Sequence, residues 1–419
     1  MMKFLRDLYS VLNVTVLVAG LGYFVDLFDI TLFGVVRAAS LKELGLSDAD
    51  VLDKGIFIYN CQMAGMMVGG LIWGVLGDKR GRLSVMFGSI LLYSFANIAN
   101  AFAWDVTSYA LCRFLGGVGL AGELGAAITL VAESLPKDKR GLGTTVVATL
   151  GMLGIVAAAG VGKYLHWKTA YLLGGFMGLA LLFTRFKVSE SEIFAKKSDP
   201  SRANPFLLLQ GGRFFKYLCC IMIGVPIYFT TGVLFTFAPE LTVGLGVKGT
   251  VTAADAILFG SIGLTIGDLL AGVLSQLFKS RRRAVALHLV VGFGLLLVYG
   301  LVPGLTNTAI YFLSFFIGIT VGYWAVLVTM SAEQFGTNIR ATVATTVPNF
   351  VRGSAMMAIS GFKYLKEKDT VPFLNEPMTV PTAALIVGAI CFSVALLALF
   401  FMEETFHRDL DYEEGSKGA

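Results

Sequence analysis

The chain has 419 residues, 56% of them apolar and only 15% charged, with a formal net charge of +5 and a mean hydropathy of +0.76. That balance excludes an ordinary soluble domain of this length. Long apolar runs separated by short polar loops describe a polytopic helical membrane protein instead. A membrane barrel would show dyad-patterned runs of about 10 residues.

Twelve spans are expected, at 11–38, 56–77, 84–103, 107–132, 142–164, 169–187, 214–240, 253–278, 284–303, 308–331, 341–363 and 380–402. The first is too long for the core of a signal peptide and has no small-residue cleavage site after it, so it reads as a retained helix. With the N-terminus inside, most of the 33 Lys and Arg fall in cytoplasmic segments, which places both termini in the cytoplasm. The one long polar connection, Val188 to Arg213, divides the chain into an N-terminal bundle at 1–187 and a C-terminal bundle at 214–403. A polar acidic tail follows at 404–419. Cys61, Cys112, Cys219, Cys220 and Cys391 all lie inside apolar runs, as buried thiols rather than disulfides or metal ligands. The uneven placement of positive charge argues against nucleic acid as a partner.

The two halves share a signature. Ala132-Glu133 precedes Arg140 by seven residues from the glutamate, and Ala332-Glu333 precedes Arg340 in the same way 200 residues later. One unit built twice is the simplest account, and charges present in only one copy become the first places to look for function.

The loop after the second span reads Gly74-Val-Leu-Gly-Asp78-Lys-Arg80-Gly-Arg82. This resembles the GxLxDrxGR signature of the major facilitator superfamily, a resemblance that extends over the whole chain. It implies an all-α membrane protein of twelve transmembrane helices in two six-helix bundles with pseudo-two-fold symmetry. Small residues there let helices cross closely, and an acidic residue among arginines can hold one gate state and release in another. The second-half echo runs from Gly272 to Arg283 and keeps the basic run, but it has Gln276 where the pattern has Asp. The gating set is therefore Gly74, Asp78, Arg80, Arg82, Glu133 and Arg140 in the first half and Glu333 and Arg340 in the second.

Three local matches narrow the branch. Asp26-Leu-Phe-Asp29 is similar to the D-G-[FY]-D of aromatic-acid and sialate proton symporters, with Leu27 in place of the glycine. Ala121-Gly-Glu123-Leu-Gly-Ala-Ala resembles helix 4 of metabolite:proton symporters. Glu404-Thr-Phe-His-Arg408 resembles the PETxGRxL tail that those symporters share with sugar porters, with Glu403 where proline stands. The fifth span has no proline, unlike drug:proton antiporters. Uptake is favoured over drug efflux.

An ionisable residue inside a span costs at least about 2.5–3.5 kcal/mol on insertion scales, so each needs a reason. Asp26 and Asp29 share a face of the first helix. Two carboxylates this close compete for ionisation, which suits one of them to carrying a proton. A salt-bridge or capping role is the alternative. Arg113 lies at a depth that reaches Asp29, and Glu123 sits about 15 Å further along the fourth span. The expected ladder is Arg113–Asp29–Asp26–Glu123, with Asp29 as the coupling carboxylate held by Arg113 until a proton arrives. A static bridge for Arg113 and a packing role for Glu123 are the competing readings. In the eleventh span, Arg352 corresponds at the offset of 200 to Met152 and so has no charged counterpart. It resembles the helix 11 arginine of animal organic-anion transporters, and a guanidinium there suits a carboxylate. Its rival role is a pair with buried Asp268. Asn60, Gln62, Tyr228, Thr230, Thr231, Tyr323 and Trp324 are uncharged cavity candidates, with Trp324 suited to stacking on a ring. His288 opens the ninth span at its periphery.

These features together imply a secondary active transporter, without cofactor and with a proton as coupling ion, that takes up a small organic anion by alternating access. It is expected to act as a monomer in a bacterial inner membrane. The alternatives are export or facilitation of an organic cation, metal chelate or other metabolite with Asp26 and Asp29 as ligands, or a receptor on a transporter fold. Enzymatic chemistry is not expected. His166, His288 and His407 form no catalytic or metal constellation, and no nucleotide-binding loop is present.

Overall fold

The computed structural model describes residues 13–80, 82–123, 131, 135, 140–185, 211–302, 304–368, 370–371 and 377–406. Most of the expected central linker, the tail beyond Phe406, and Glu133 lie outside them. So do the side chains of Asp78, Arg80, Arg82 and Arg140, so that of the first-half gating set Gly74 alone is described.

The architecture is all-helical. In chain order the helices are α1 (Val14–Glu43), α2 (Asp48–Arg80), α3 (Arg82–Asn100), α4 (Val106–Leu120), α5 (Arg140–Tyr164) and α6 (Trp167–Arg185). After them come α7 (Arg213–Phe229), a π-helical turn (Thr230–Phe235), α8 (Ala238–Gly244), α9 (Ala253–Leu277) and α10 (Arg281–Leu301). The last are α11 (Asn307–Val321), α12 (Trp324–Glu333), α13 (Thr337–Lys366) and α14 (Val380–Phe401). Eight helical stretches among the described residues are long and apolar enough to cross a membrane, and three shorter ones are apolar over 10–17 residues. The chain divides into two compact units, Met1–Leu46 with Phe57–Arg202, and Ser47–Ile56 with Ala203–Ala419.

Within each unit the same packing device recurs. In the first, α2 crosses α4 where a Cβ on Gly65 or Gly117 would strike the backbone carbonyls of Phe114 and Gln62. In the second, α9 crosses α11 where a Cβ on Gly263 or Gly318 would strike those of Phe315 and Gly260. Lipid tails are as apolar as leucine, so helices in a bilayer associate by close van der Waals contact, and glycine permits the closest approach.

Among the differences between the helix boundaries and expectation, three have a local cause. First, α1 runs five residues past the expected end at 38, and Arg37, near that end, is buried. Ser40 anchors that extra turn through its hydroxyl, 3.1 Å from the Tyr109 hydroxyl. Second, the seventh span is broken. Pro226 lacks a backbone N–H, the π-helical turn follows, and Pro239 starts α8. The Thr231 and Thr236 hydroxyls donate to the carbonyls of Ile227 and Thr231, at 3.1 and 2.8 Å, and so serve that irregular backbone. Third, the fourth and tenth spans are interrupted at matching points. Ala121 and Gly122 form a turn after α4, and Gly322 and Tyr323 separate α11 from α12.

Candidate functional site

The first unit concentrates its buried polarity at Arg113. Asp105 caps α4 by accepting from the Ser108 N–H at 2.8 Å, while the Ser108 hydroxyl accepts from the Asp105 N–H. This box fixes where the helix begins, and four-residue spacing then puts Tyr109 and Arg113 on one buried face. On α3, Asn97 and Asn100 share a face at a spacing of three. Arg113 Nη2 donates to Asn97 Oδ1, and its Nε donates to Asn100 Oδ1 at 3.3 Å. Arg113 Nη1 lies 3.5 Å from Asp29 Oδ1 of α1, both side chains wholly buried. From α6, the Tyr171 ring lies under the guanidinium at 4.5 Å. The Tyr171 hydroxyl meets that of Tyr109 at 2.9 Å, and Trp167 stacks on the Tyr109 ring with centroids 5.7 Å apart.

Four helices thus converge on one ion pair. Taking two charges out of water costs several kcal/mol per ion unless further hydrogen bonds compensate. Here the compensation is lopsided, because two amides and an aromatic face hold the arginine independently of its carboxylate. Neutralising Asp29 would therefore leave Arg113 with partners in place, and α1 would lose its charge attraction to α4. The expected pairing of Arg113 with Asp29 is formed. Asp26 and Glu123 are also wholly buried, Glu123 just beyond the turn that ends α4. Asn97, Asn100, Tyr109 and Tyr171 escaped the sequence reading because they carry no charge. The available signal was polar residues every third position in Ser94-Phe-Ala-Asn97-Ile-Ala-Asn100.

In the second unit, Arg352 of α13 is wholly buried and its Nε donates to the Tyr228 hydroxyl of α7 at 3.2 Å. The Tyr228 ring meets Trp324 edge to face at 5.8 Å. Trp324 is the first residue of α12, and the start of α12 is capped from a neighbouring helix, since Asp268 Oδ1 of α9 accepts from the Ala325 N–H at 2.8 Å. The rival pairing of Asp268 with Arg352 is therefore not formed. A carboxylate at a helix N-terminus is favoured by the exposed N–H groups and the dipole. Asp268 thereby fixes the half-helix that carries Trp324.

The other candidates are placed as follows. Tyr323 is wholly buried and spends its hydroxyl on the Ile223 carbonyl at 2.8 Å. Thr230 and Gln62 are wholly buried, and Asn60 is half-buried. His288 is buried, not peripheral. Its ring lies 6.1 Å from that of Tyr323, and its Nδ1 is 2.9 Å from the Ala284 carbonyl.

Of the gating candidates, Gly74 is half-buried with open space around its Cβ position. Glu333 takes a bidentate grip from Arg281, through Nε and Nη2 at 2.6 Å each, and also accepts from the Thr405 hydroxyl at 2.7 Å. Arg340 Nε donates to the Phe335 carbonyl at 3.1 Å, closing the turn between α12 and α13. Glu404 caps α10 by accepting from the Ser280 hydroxyl and from the N–H groups of Arg281 and Arg282, at 3.0 and 3.3 Å. Partial burial pushes the Glu404 carboxyl up, but these donors and the Phe406 N–H outweigh it and hold it below the usual glutamate range. Glu403 pairs with Lys216 of α7 at 2.9 Å. The segment after α14 therefore ties down α7, α10 and α12.

The sequence profile described as Major Facilitator Superfamily matches residues 19–365. The chain belongs to the Major Facilitator Superfamily. Among superfamily members, it is 27% identical over 365 residues to a niacin transporter of Acinetobacter baylyi, covering 77% of this chain and 80% of that one. It is 28% identical over 349 residues to a 3-(3-hydroxy-phenyl)propionate transporter of Escherichia coli, again covering 77% and 80%. Its fold matches the crystal structure of a D-xylose-proton symporter with a TM-score of 0.67 at 16% identity, covering 94% of this chain and 98% of that chain. These superfamily relatives are transporters rather than enzymes. The chain is accordingly an integral membrane transporter of small molecules.

Proposed function

We propose that the chain is a proton-coupled symporter that carries a small aromatic carboxylate into the cytoplasm by alternating access. The buried Arg113–Asp29 pair carries this reading. A carboxylate in a dry site beside a guanidinium with other partners is suited to gain and lose one proton per cycle. Asp29 is the proton-carrying group, Asp26 assists on the same face of α1 and Glu123 on the inner side, and Arg113 holds the empty state. In the second unit Arg352 receives the substrate carboxylate. Tyr228 orients the guanidinium and Trp324 offers a ring face. Relatives named for niacin and hydroxyphenylpropionate transport support an aromatic acid as cargo. Glu333 and Arg340 act in gating, and the protein works as a monomer in a bacterial inner membrane with both termini cytoplasmic.

Adding substrate to lightly buffered cells that express the protein tests this reading. Nicotinate, benzoate or 3-phenylpropionate should make the medium transiently more alkaline as protons enter with substrate, and a protonophore should abolish the signal. Substrate entry without any pH transient would contradict proton coupling. Entry of organic cations but not carboxylates would reassign the cargo.

A further inference from the structure

One cavity in the second unit belongs to neither candidate site. It measures about 560 Å³ and lies between the turn Phe278–Ser280, the first turns of α10 and the last turns of α14. Its walls divide by chemistry. Lys279, Arg282 and Arg283 form one side, and Leu396, Leu399, Phe400 and Phe278 form the other. The acidic group at its edge, Glu404, is already taken by the Ser280 hydroxyl and the backbone N–H groups of α10. Of the nearby charges, Arg281 is spent on Glu333 and Glu403 on Lys216. Arg282 Nη2 donates to the Phe400 carbonyl at 3.0 Å, which ties it to α14 and leaves its other donors at the cavity. Lys279 and Arg283 are exposed. The balance at the cavity is a surplus of positive charge.

Its depth along the helices decides what that charge meets. The membrane-spanning stretches run Arg281–Leu301 and Val380–Phe401, so the cavity sits where both leave the hydrocarbon. Phe400, 73% exposed, and Leu397, 60% exposed, continue the apolar wall onto the outer face of α14. A soluble anion would use the basic side and leave the apolar side wet. A molecule with an anionic head and two hydrocarbon chains matches both sides. Basic pockets between helices at the membrane surface suit such headgroups, and the volume lies within the usual range for a small-molecule site.

We propose that this cavity binds an anionic phospholipid, its phosphate held by Lys279, Arg282 and Arg283 and its chains laid along α14. The bound headgroup would then border the Glu404 cap on α10 and brace the segment that joins α10 to α12.

Native mass spectrometry of the full chain in detergent tests this, with phosphatidylglycerol, phosphatidylcholine of the same chain lengths, and glycerol 3-phosphate as separate probes. The altered protein carries Lys279→Asn and Arg283→Gln. Asparagine tolerates the positive φ of 47° at position 279, and both residues are exposed, so folding is retained. Wild type should retain one phosphatidylglycerol in preference to phosphatidylcholine. The double variant should bind it about 30-fold more weakly, at about one factor of five per basic residue. Equal retention of the two lipids, or equal binding by the double variant, would overturn the proposal. Binding of glycerol 3-phosphate as tight as that of the lipid would overturn it in favour of a soluble phosphate site.

Discussion

The two buried arginines at the candidate sites are held in different ways. Arg113 lies against the Asp29 carboxylate and is gripped on other sides by Asn97, Asn100 and the Tyr171 ring. Arg352 donates to the Tyr228 hydroxyl, and Tyr228 leans on Trp324. In the proposed mechanism the first arginine, beside the Asp29 carboxylate, governs a proton. In the same mechanism the second, beside a hydroxyl and aromatic rings, receives the substrate carboxylate. The glycine-lined crossings repeat between the units, but these arginine sites do not. Duplication accounts for the repeated scaffold, and under the proposed function the departures from it divide the labour.

The contrast breaks most visibly at Arg113. Arg113→Leu leaves Asp29 buried without its ion partner and should destabilise the protein by about 3–5 kcal/mol. Asp29→Asn should cost much less, because the amides still hold the arginine. Combining the two changes should recover most of the loss, as read by thermal melting in detergent. At Arg352 the loss should fall on substrate instead. Arg352→Ala should weaken carboxylate binding about 10- to 100-fold with melting temperature little changed, and Arg352→Lys should recover only part, since an ammonium cannot make a planar bidentate grip. A parallel fall in stability and binding would make Arg352 a structural residue.

Smaller changes sharpen the comparison. Tyr171→Phe keeps the ring beneath Arg113 and loses the hydroxyl bond to Tyr109, whereas Tyr171→Leu loses both. The leucine variant should be less stable than the phenylalanine one by about 1–2 kcal/mol, the worth of a desolvated cation–π contact. The smallest effect concerns Glu404, whose carboxyl is held below the usual glutamate range. Such a group adds stability above its unfolded pKa and loses it as pH falls through the lower folded value. The tail's hold on α10 should therefore persist through neutral and mildly acidic pH and weaken only at more acid pH. Glu404→Gln should remove that pH dependence in hydrogen exchange of the first turn of α10.

Much of this was legible in the sequence, for reasons that differ by element. The helices were readable because a bilayer demands about 20 apolar residues per crossing, and α9, α10 and α14 meet the demand plainly. The Arg113–Asp29 pair was readable because charge in hydrocarbon requires a partner at matching depth. Asn97 and Asn100 were not, since neutral amides in an apolar run give little compositional signal. The caps supplied by Asp268 and Glu404 were hidden for another reason. Each joins residues far apart in the chain, 57 positions for Asp268 with Ala325 and 123 for Glu404 with Arg281. Periodicity and spacing report only local partners.

The central claim is that Asp29 carries the coupling proton while the binding site is separate from it. Purified protein in liposomes, given an inward proton gradient and a labelled aromatic carboxylate, tests that claim most directly when wild type is compared with Asp29→Asn. The variant should lose gradient-driven accumulation yet retain exchange of labelled for unlabelled substrate at equal concentration on both sides. Accumulation by the variant at the wild-type level would contradict the account.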